Sequence, residues 1–358
     1  MKIAIISCYR QRNYVRARTL RTAFAAADQV EVVNISNNSV SFWRFIEVPL
    51  KIMRSRLRDK PDMYVITFRG YEMLLFMILT LTRKPIIFDE LINFTEWMVE
   101  HKRLREGTWR YRLFRHWYAS LARRCRLILA DTEAHARYSA KLNRLDISRY
   151  RTIPVGTDET VFHPPAKSIA KTKPFTVFYY GHMLPLHGLE YVLEAAVLLK
   201  DTPEISFHIV GGKRGKKTAQ ACQAAITAGA RLIYEPWIPF EELPAVAAAA
   251  GLALGGPFGD TLQSQFVVTG KTYQFLALGA PVLIGRNQVN ADFQDKVNCL
   301  VVAQADAQAL ATTISWAQQH PKELERIGHN GYELYQKHFS KTVINELVQQ
   351  LVANLPAD

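Results

Sequence analysis

The stretch GKTYQFLALGAPVLIG, residues 270–285, holds an apolar helix pattern that stops at Gly279, then passes Pro281 into the strand-like PVLIG. A helix, a glycine stop and a short β-rich run in direct succession are the units of a parallel α/β sheet. Its opening triplet, Gly270-Lys271-Thr272, imitates a nucleotide phosphate loop. That loop needs a second glycine five residues before Gly270, where its turn wraps backbone N–H groups around phosphate, and this chain has Gln265 there. A lysine at a helix start nevertheless suits a phosphate, by its own charge and by the helix dipole.

The same alternation continues on both sides. KIAIIS, VEVVNIS, MYVIT, PIIFD and RLILAD in the first half are separated by helical patterns at 14–27, 42–58, 71–81 and 133–143. A polar, proline-rich break at 164–174 precedes a second series: FTVFYY, ISFHIVGG, RLIYEPW, GLALGG, PVLIG and CLVV. Strands alternating with helices predict an α/β fold of two doubly wound domains, 1–166 and 167–340. A final amphipathic helix at 341–355, striped by Val343, Leu347, Leu351 and Leu355, needs a partner surface, expected on the first domain.

Bulk composition narrows the class. At 49% hydrophobic and 22% charged residues the chain reads as soluble and globular. Cys8, Cys125, Cys222 and Cys299 stand far apart, with neither zinc-ligand spacing nor a disulfide framework, which fits a reducing cytoplasm. The run MLLFMILTL at 73–81 is too short to span a bilayer. Charge is lopsided: residues 1–166 hold 29 Lys and Arg against 16 Asp and Glu, whereas the remainder holds 16 of each. A polyanionic surface is the expected partner of that half. In 42–58, Phe42, Ile46, Leu50, Met53 and Leu57 recur at helical steps, while Arg44, Lys51, Arg54 and Arg58 fall off the stripe. That pattern suits a helix lying on an anionic membrane, or one packing the stripe on its own sheet. Residues 101–126 interleave aromatics with arginines, which suits a lipid interface and also RNA, although no nucleic-acid-binding motif is present.

Landmarks of the second half fall in a recognisable order: IPVGTDETVFHP, YYGHMLPLHGLEYVLEAAVLL, FHIVGG, EPWIPFEELPAVAAAAGLALG and PFGDTLQSQFVVTGKTYQFLALGAPVLIG. Together they resemble the GT-B glycosyltransferases of retaining family 4, in which two Rossmann-like domains face each other across a cleft. The resemblance implies a first domain for the acceptor and a second for a UDP- or GDP-sugar donor, with no metal or other cofactor. It implies transfer to a lipid-linked or surface-glycan acceptor at the inner face of the cell membrane. By the same resemblance Gly181, His182, His187 and Gly188 take the diphosphate turn, and Trp237 and Ile238 reach the base; the basic cluster Lys213, Arg214, Lys216 and Lys217 after IVGG reads mainly as a solvated loop, from which one residue, Lys213, is expected to close on the donor. Asp260 and Thr261 hold sugar or phosphate, and Lys271 and Thr272 hold the diphosphate. The family's paired glutamates fall on Phe266 and Gln274, and its acceptor-side histidine on Leu91, so the catalytic candidates left are Asp89 and Glu90 at a strand end. The N-terminal glycine turn is replaced by SCYRQRNYVR, whose arginines would line the cleft.

Each residue also has a plainer reading. Lys271 is otherwise a solvated lysine, although its end of the helix disfavours cations. His182 and His187 are otherwise turn residues, Asp260 and Thr261 a simple turn, and Asp89 and Glu90 caps of the next helix. The missing glutamates and histidine keep a second function in view: an inactive GT-B-like protein that binds membrane or nucleic acid.

Overall fold

The computed structural model describes residues 1–9, 14–39, 41–70, 73–166, 171–181, 184–212, 216–289 and 291–355. The chain divides into two compact units, Met1–Gly156 with Lys341–Asp358, and Thr157–Ser340.

In the first unit β1 (Lys2–Ser7), α1 (Val15–Ala26), β2 (Glu31–Ser36), α2 (Arg44–Arg58), β3 (Met63–Ile66), α3 (Met73–Leu81) and β4 (Ile86–Asp89) alternate. They are followed by α4 (Phe94–Glu100), α5 (Trp109–Arg124), β5 (Leu127–Ala130), α6 (Glu133–Asn143) and β6 (Tyr150–Thr152). The sheet is parallel in the order β2-β1-β3-β4-β5-β6. Side chains alternate across each strand, so each strand feeds two cores. Ala4, Ile6, Tyr64, Ile66, Phe88 and Ile128 join Val48, Ile52, Leu75, Ile78 and Leu121 under α2, α3 and α5. Ile3, Ile5, Val65, Ile87 and Leu129 meet Leu20, Phe24, Ile344, Val348 and Leu351 on the other face.

The second unit runs β7 (Phe175–Tyr180), α7 (Leu189–Leu198), β8 (Ile205–Val210), α8 (Lys216–Thr227), β9 (Leu232–Glu235), α9 (Leu243–Ala249) and β10 (Leu252–Leu254). It continues through α10 (Gly270–Ala277), β11 (Val282–Gly285), β12 (Leu300–Val302), α11 (Ala307–Gln319) and α12 (Pro321–His338). Its parallel sheet is ordered β12-β11-β10-β7-β8-β9, so the winding reverses between β7 and β10. Ligands of open α/β sheets collect at the strand C-termini beside such a reversal.

Two expectations shift. The boundary lies at Gly156 and Thr157, ahead of Ala166. The reason is packing: Phe162 is fully buried with its ring 5.3 Å from that of Phe240, and Tyr335 donates to Glu159 at 2.9 Å. The closing helix α13 (Lys341–Ala353) packs beside α1 as expected, but of the expected stripe only Leu351 and Leu355 reach that core, where Ile344 and Val348 take the places of Val343 and Leu347. Strict four-residue steps from Val343 drift about 40° each around a helix, whereas the 344, 348, 351 spacing stays on one stripe.

Helix α2 continues across Pro49, buries Val48 and Ile52, and leaves the predicted stripe in solvent. Phe42 is 67% and Leu57 78% exposed, and Ile46, Leu50 and Met53 are exposed between them. The alternative in which the stripe packs on its own sheet is therefore overturned. Among the described residues no helix is long and apolar enough to cross a membrane.

Candidate functional site

At the reversal point of the second sheet, three glycine-bearing turns press together. Gly188 has φ +61°, and a Cβ there would lie 2.5 Å from the backbone of Phe258 and Gly259. Gly211 has φ +144°, and its Cβ would meet the Gly181 carbonyl oxygen at 1.8 Å. Only glycine admits both the dihedral and the approach. The turns after β7, β8 and β10 are thereby drawn against one another.

Helix α10 starts beside this junction. Thr269 caps it, accepting from the Thr272 N–H at 3.4 Å and donating to the Gly255 carbonyl at 2.6 Å, which pins the helix start to the end of β10. Lys271 follows in the first turn and is only 5% exposed. Its ammonium stands 4.7 Å from the centre of the Tyr179 ring and 3.4 Å from His187 Nδ1. The bare Gly181 leaves room for it, since a Cβ there would come to 3.3 Å from Nζ. Burial pushes the Lys271 pKa down to about 7. No carboxylate opposes the ammonium among the described residues. A buried cation at a helix N-terminus, where the dipole is also positive, is costly by itself and becomes favourable when an anion enters.

The structure therefore gathers Gly181, His187, Gly188 and Lys271. Thr272 sits in the same helix turn but faces β10, its hydroxyl 3.3 Å from Thr269 Oγ1 and 3.4 Å from the Gly256 carbonyl. Asp260 is exposed on the adjoining turn, and the Thr261 hydroxyl accepts from the Ser264 N–H at 3.2 Å, a turn contact. Trp237 is exposed and Ile238 half-buried beyond β9, the outer strand of the sheet. Gln274 is buried and takes the Tyr180 hydroxyl. His182 and Lys213 lie outside the described residues.

The first unit places its candidates differently from expectation. Asp89 and Glu90 do follow β4, but both are fully buried. Asp89 Oδ1 receives Arg16 Nε at 2.9 Å and Nη2 at 2.7 Å, and Arg16 Nη1 donates to the Pro154 carbonyl at 3.0 Å. Arg16 is itself fully buried, so it lines no cleft; Arg10 and Arg12 lie outside the described residues. Glu90 accepts from Tyr118 at 2.8 Å, from Asn93 and Asn143 at 3.2 Å each, and from Ser139. Burial raises both carboxyl pKa values. The Glu90 network holds α4, α5 and α6 to the sheet end, and the Arg16–Asp89 pair ties in α1.

Sequence reading missed a histidine next to them. His135 Nδ1 lies 2.7 Å from Asp131 Oδ1, one turn into α6, and both are buried. Burial opposes its charge, but the Asp131 hydrogen bond and charge outweigh it and lift the pKa to about 9. Glu96 nearby is pushed up to about 8 by burial, only partly offset by His135. The usable signal was Asp131, just past β5, with His135 four residues on in the first turn of α6, where the two come within hydrogen-bond reach. Around Arg44, Lys51, Arg54 and Arg58 the picture divides. Lys51 is tied to Glu47 and to the Ser36 carbonyl, Arg44 lies 4.8 Å over the Phe45 ring, and Arg54 and Arg58 are exposed. Among the described residues no group of three or more His, Cys, Asp or Glu side chains forms a metal site.

Residues 191–349 match a family model described as glycosyl transferase-like. No curated protein matches the chain in sequence. Among solved structures, Anabaena HepE in complex with UDP-glucose is 14% identical, with 99% of this chain and 100% of that one covered at a TM-score of 0.76. Sucrose-phosphate synthase from Thermosynechococcus elongatus is 16% identical, with 99% and 98% covered at 0.77. A glycosyltransferase from Rickettsia africae is 11% identical, with 99% of each chain covered at 0.68. At these identities the likeness is one of fold.

Proposed function

We propose that this chain, a glycosyltransferase of the GT-B fold, moves a hexosyl group from a UDP-sugar to a hydroxyl of a lipid-linked or surface glycan. The observation that carries the donor reading is Lys271, a buried cation at the start of α10 with no counter-charge among the described residues. The acceptor oxygen bonds to the anomeric carbon, the bond from that carbon to the diphosphate breaks, and the leaving diphosphate keeps the electron pair. The acceptor hydroxyl proton is lost to solvent or to a base. Lys271 and the helix N-terminus stabilise the charge that develops on the diphosphate. The UDP-glucose held by HepE supports UDP as the nucleotide, and the family resemblance supports retention at the anomeric carbon.

Thermal unfolding with UDP and GDP sugars tests this reading. A donor at a hundred times its Kd stabilises the folded state by about 2.7 kcal/mol, which is expected for a UDP-sugar. No stabilisation by any UDP- or GDP-sugar would remove the enzyme reading and leave the inactive binding protein.

The membrane part rests on the exposed stripe of α2 beside exposed Arg54 and Arg58. Each basic residue at an anionic leaflet contributes about 1 kcal/mol, so these residues and the apolar stripe together give reversible attachment at the inner membrane face. Arg54→Glu with Arg58→Glu is expected to weaken co-sedimentation with anionic vesicles by about tenfold or more, and high salt to do likewise. Equal binding to neutral and anionic vesicles would show that charge has no part in it.

A further inference from the structure

The outer helices of the first unit carry a groove that the transfer reaction leaves unused. Between α5 and the end of α6 a cavity of about 380 Å³ is lined by Arg112, Arg115, His116, Arg123 and Arg144, and the rest of its wall is neutral. Among the described residues none of the four guanidinium groups has a carboxylate partner, and Arg115 lies 5.7 Å over the Tyr111 ring. Helix ends explain part of this. Arg123 is in the last turn of α5 and Arg144 closes α6 at φ 53°, where cations offset the negative pole. Arg112 and Arg115 lie in the first half of α5, far from that pole.

Like charges gathered in one cavity repel, and a multivalent anion turns that repulsion into attraction. Guanidinium groups match phosphate oxygens in pairs, and a phosphate ester of nearly two charges answers several of them at once. We infer that the α5–α6 groove binds a phosphomonoester or diphosphate group, at a site separate from Lys271. Two sources supply that chemistry: a lipid headgroup, which exposed Trp109 and Leu113 on the same helix would accompany, or a soluble phosphate.

Calorimetry with inorganic pyrophosphate tests the site, using wild type, the triple variant Arg112→Gln, Arg115→Gln, Arg123→Gln, and Lys271→Met. The expected result is a binding event at least tenfold weaker in the triple variant and kept in Lys271→Met, beside a second event at the donor site that Lys271→Met weakens and the triple variant keeps. Arg144→Asn serves as a second probe, because asparagine tolerates the left-handed conformation there, and it is expected to weaken the same event. Pyrophosphate binding unchanged in both arginine variants overturns the proposal. Phosphatidylcholine vesicles containing phosphatidic acid or phosphatidylglycerol at equal mole fraction separate the sources. A preference for phosphatidic acid that the triple variant loses identifies a lipid headgroup, and pyrophosphate binding without that preference identifies a soluble phosphate.

Discussion

Arg16→Met is expected to destabilise the first unit by about 3–5 kcal/mol, because it leaves the Asp89 charge buried and uncompensated. Asp89 is fully buried, and Arg16 supplies the two hydrogen bonds to its Oδ1 while also holding the Pro154 carbonyl. Deleting the arginine therefore strands a carboxylate and at least one carbonyl. A domain of this size loses roughly 2–4 °C of melting temperature per kcal/mol, so its transition is expected to fall by about 6–20 °C. The double variant Arg16→Met, Asp89→Leu removes both charges and should recover most of the loss, since apolar pairs of similar volume replace buried ion pairs at little cost. A loss under about 1 kcal/mol in the single variant would show that the pair is not the anchor its geometry describes.

The same pair shows where sequence reading stops. Strand ends were legible because β-rich runs alternate with helix patterns, and the α2 stripe was legible because its spacing is local. Asp89 and Glu90 stood at the expected strand end, but what surrounds them comes from Arg16, Tyr118, Ser139 and Asn143, far along the chain and brought in by the sheet. No spacing rule reports such partners. Helix α5 was read as basic and aromatic without being assigned as a helix, because its arginines mask the period. His135 escaped for a different reason: the family histidine falls on Leu91 after β4, whereas His135 follows β5 and its tie to Asp131 is a contact of the fold. Lys271 was marked by its place at a helix start. Its burial over Tyr179 depends on β7 and could not be read from residues 270–285.

Lys271→Met is expected to do two opposite things: stabilise the free protein and weaken the binding of a sugar nucleotide by roughly ten- to a hundredfold. Burial holds the Lys271 pKa at about 7 in the folded state, against 10.5 in an ordinary lysine. Between these values the unfolded chain carries a proton that the folded chain lacks, so stability rises with pH across that window. Below about pH 7 both states are protonated, and the full cost, on the order of 5 kcal/mol, is present. Methionine removes the cost, so the variant should unfold at higher temperature at neutral and lower pH, with the difference fading towards pH 10. A diphosphate reverses the linkage by favouring the ammonium, so binding above pH 7 takes up a proton and affinity falls as pH rises. UDP-glucose is the suitable probe, because its doubly esterified diphosphate has no ionisation near neutrality. Titration calorimetry at pH 8 in two buffers of different ionisation enthalpy measures the uptake, which should vanish in Lys271→Met. Wild-type affinity and proton uptake persisting in that variant would place the diphosphate elsewhere, and a variant no more stable than wild type at pH 7 would show that the buried ammonium carries no cost.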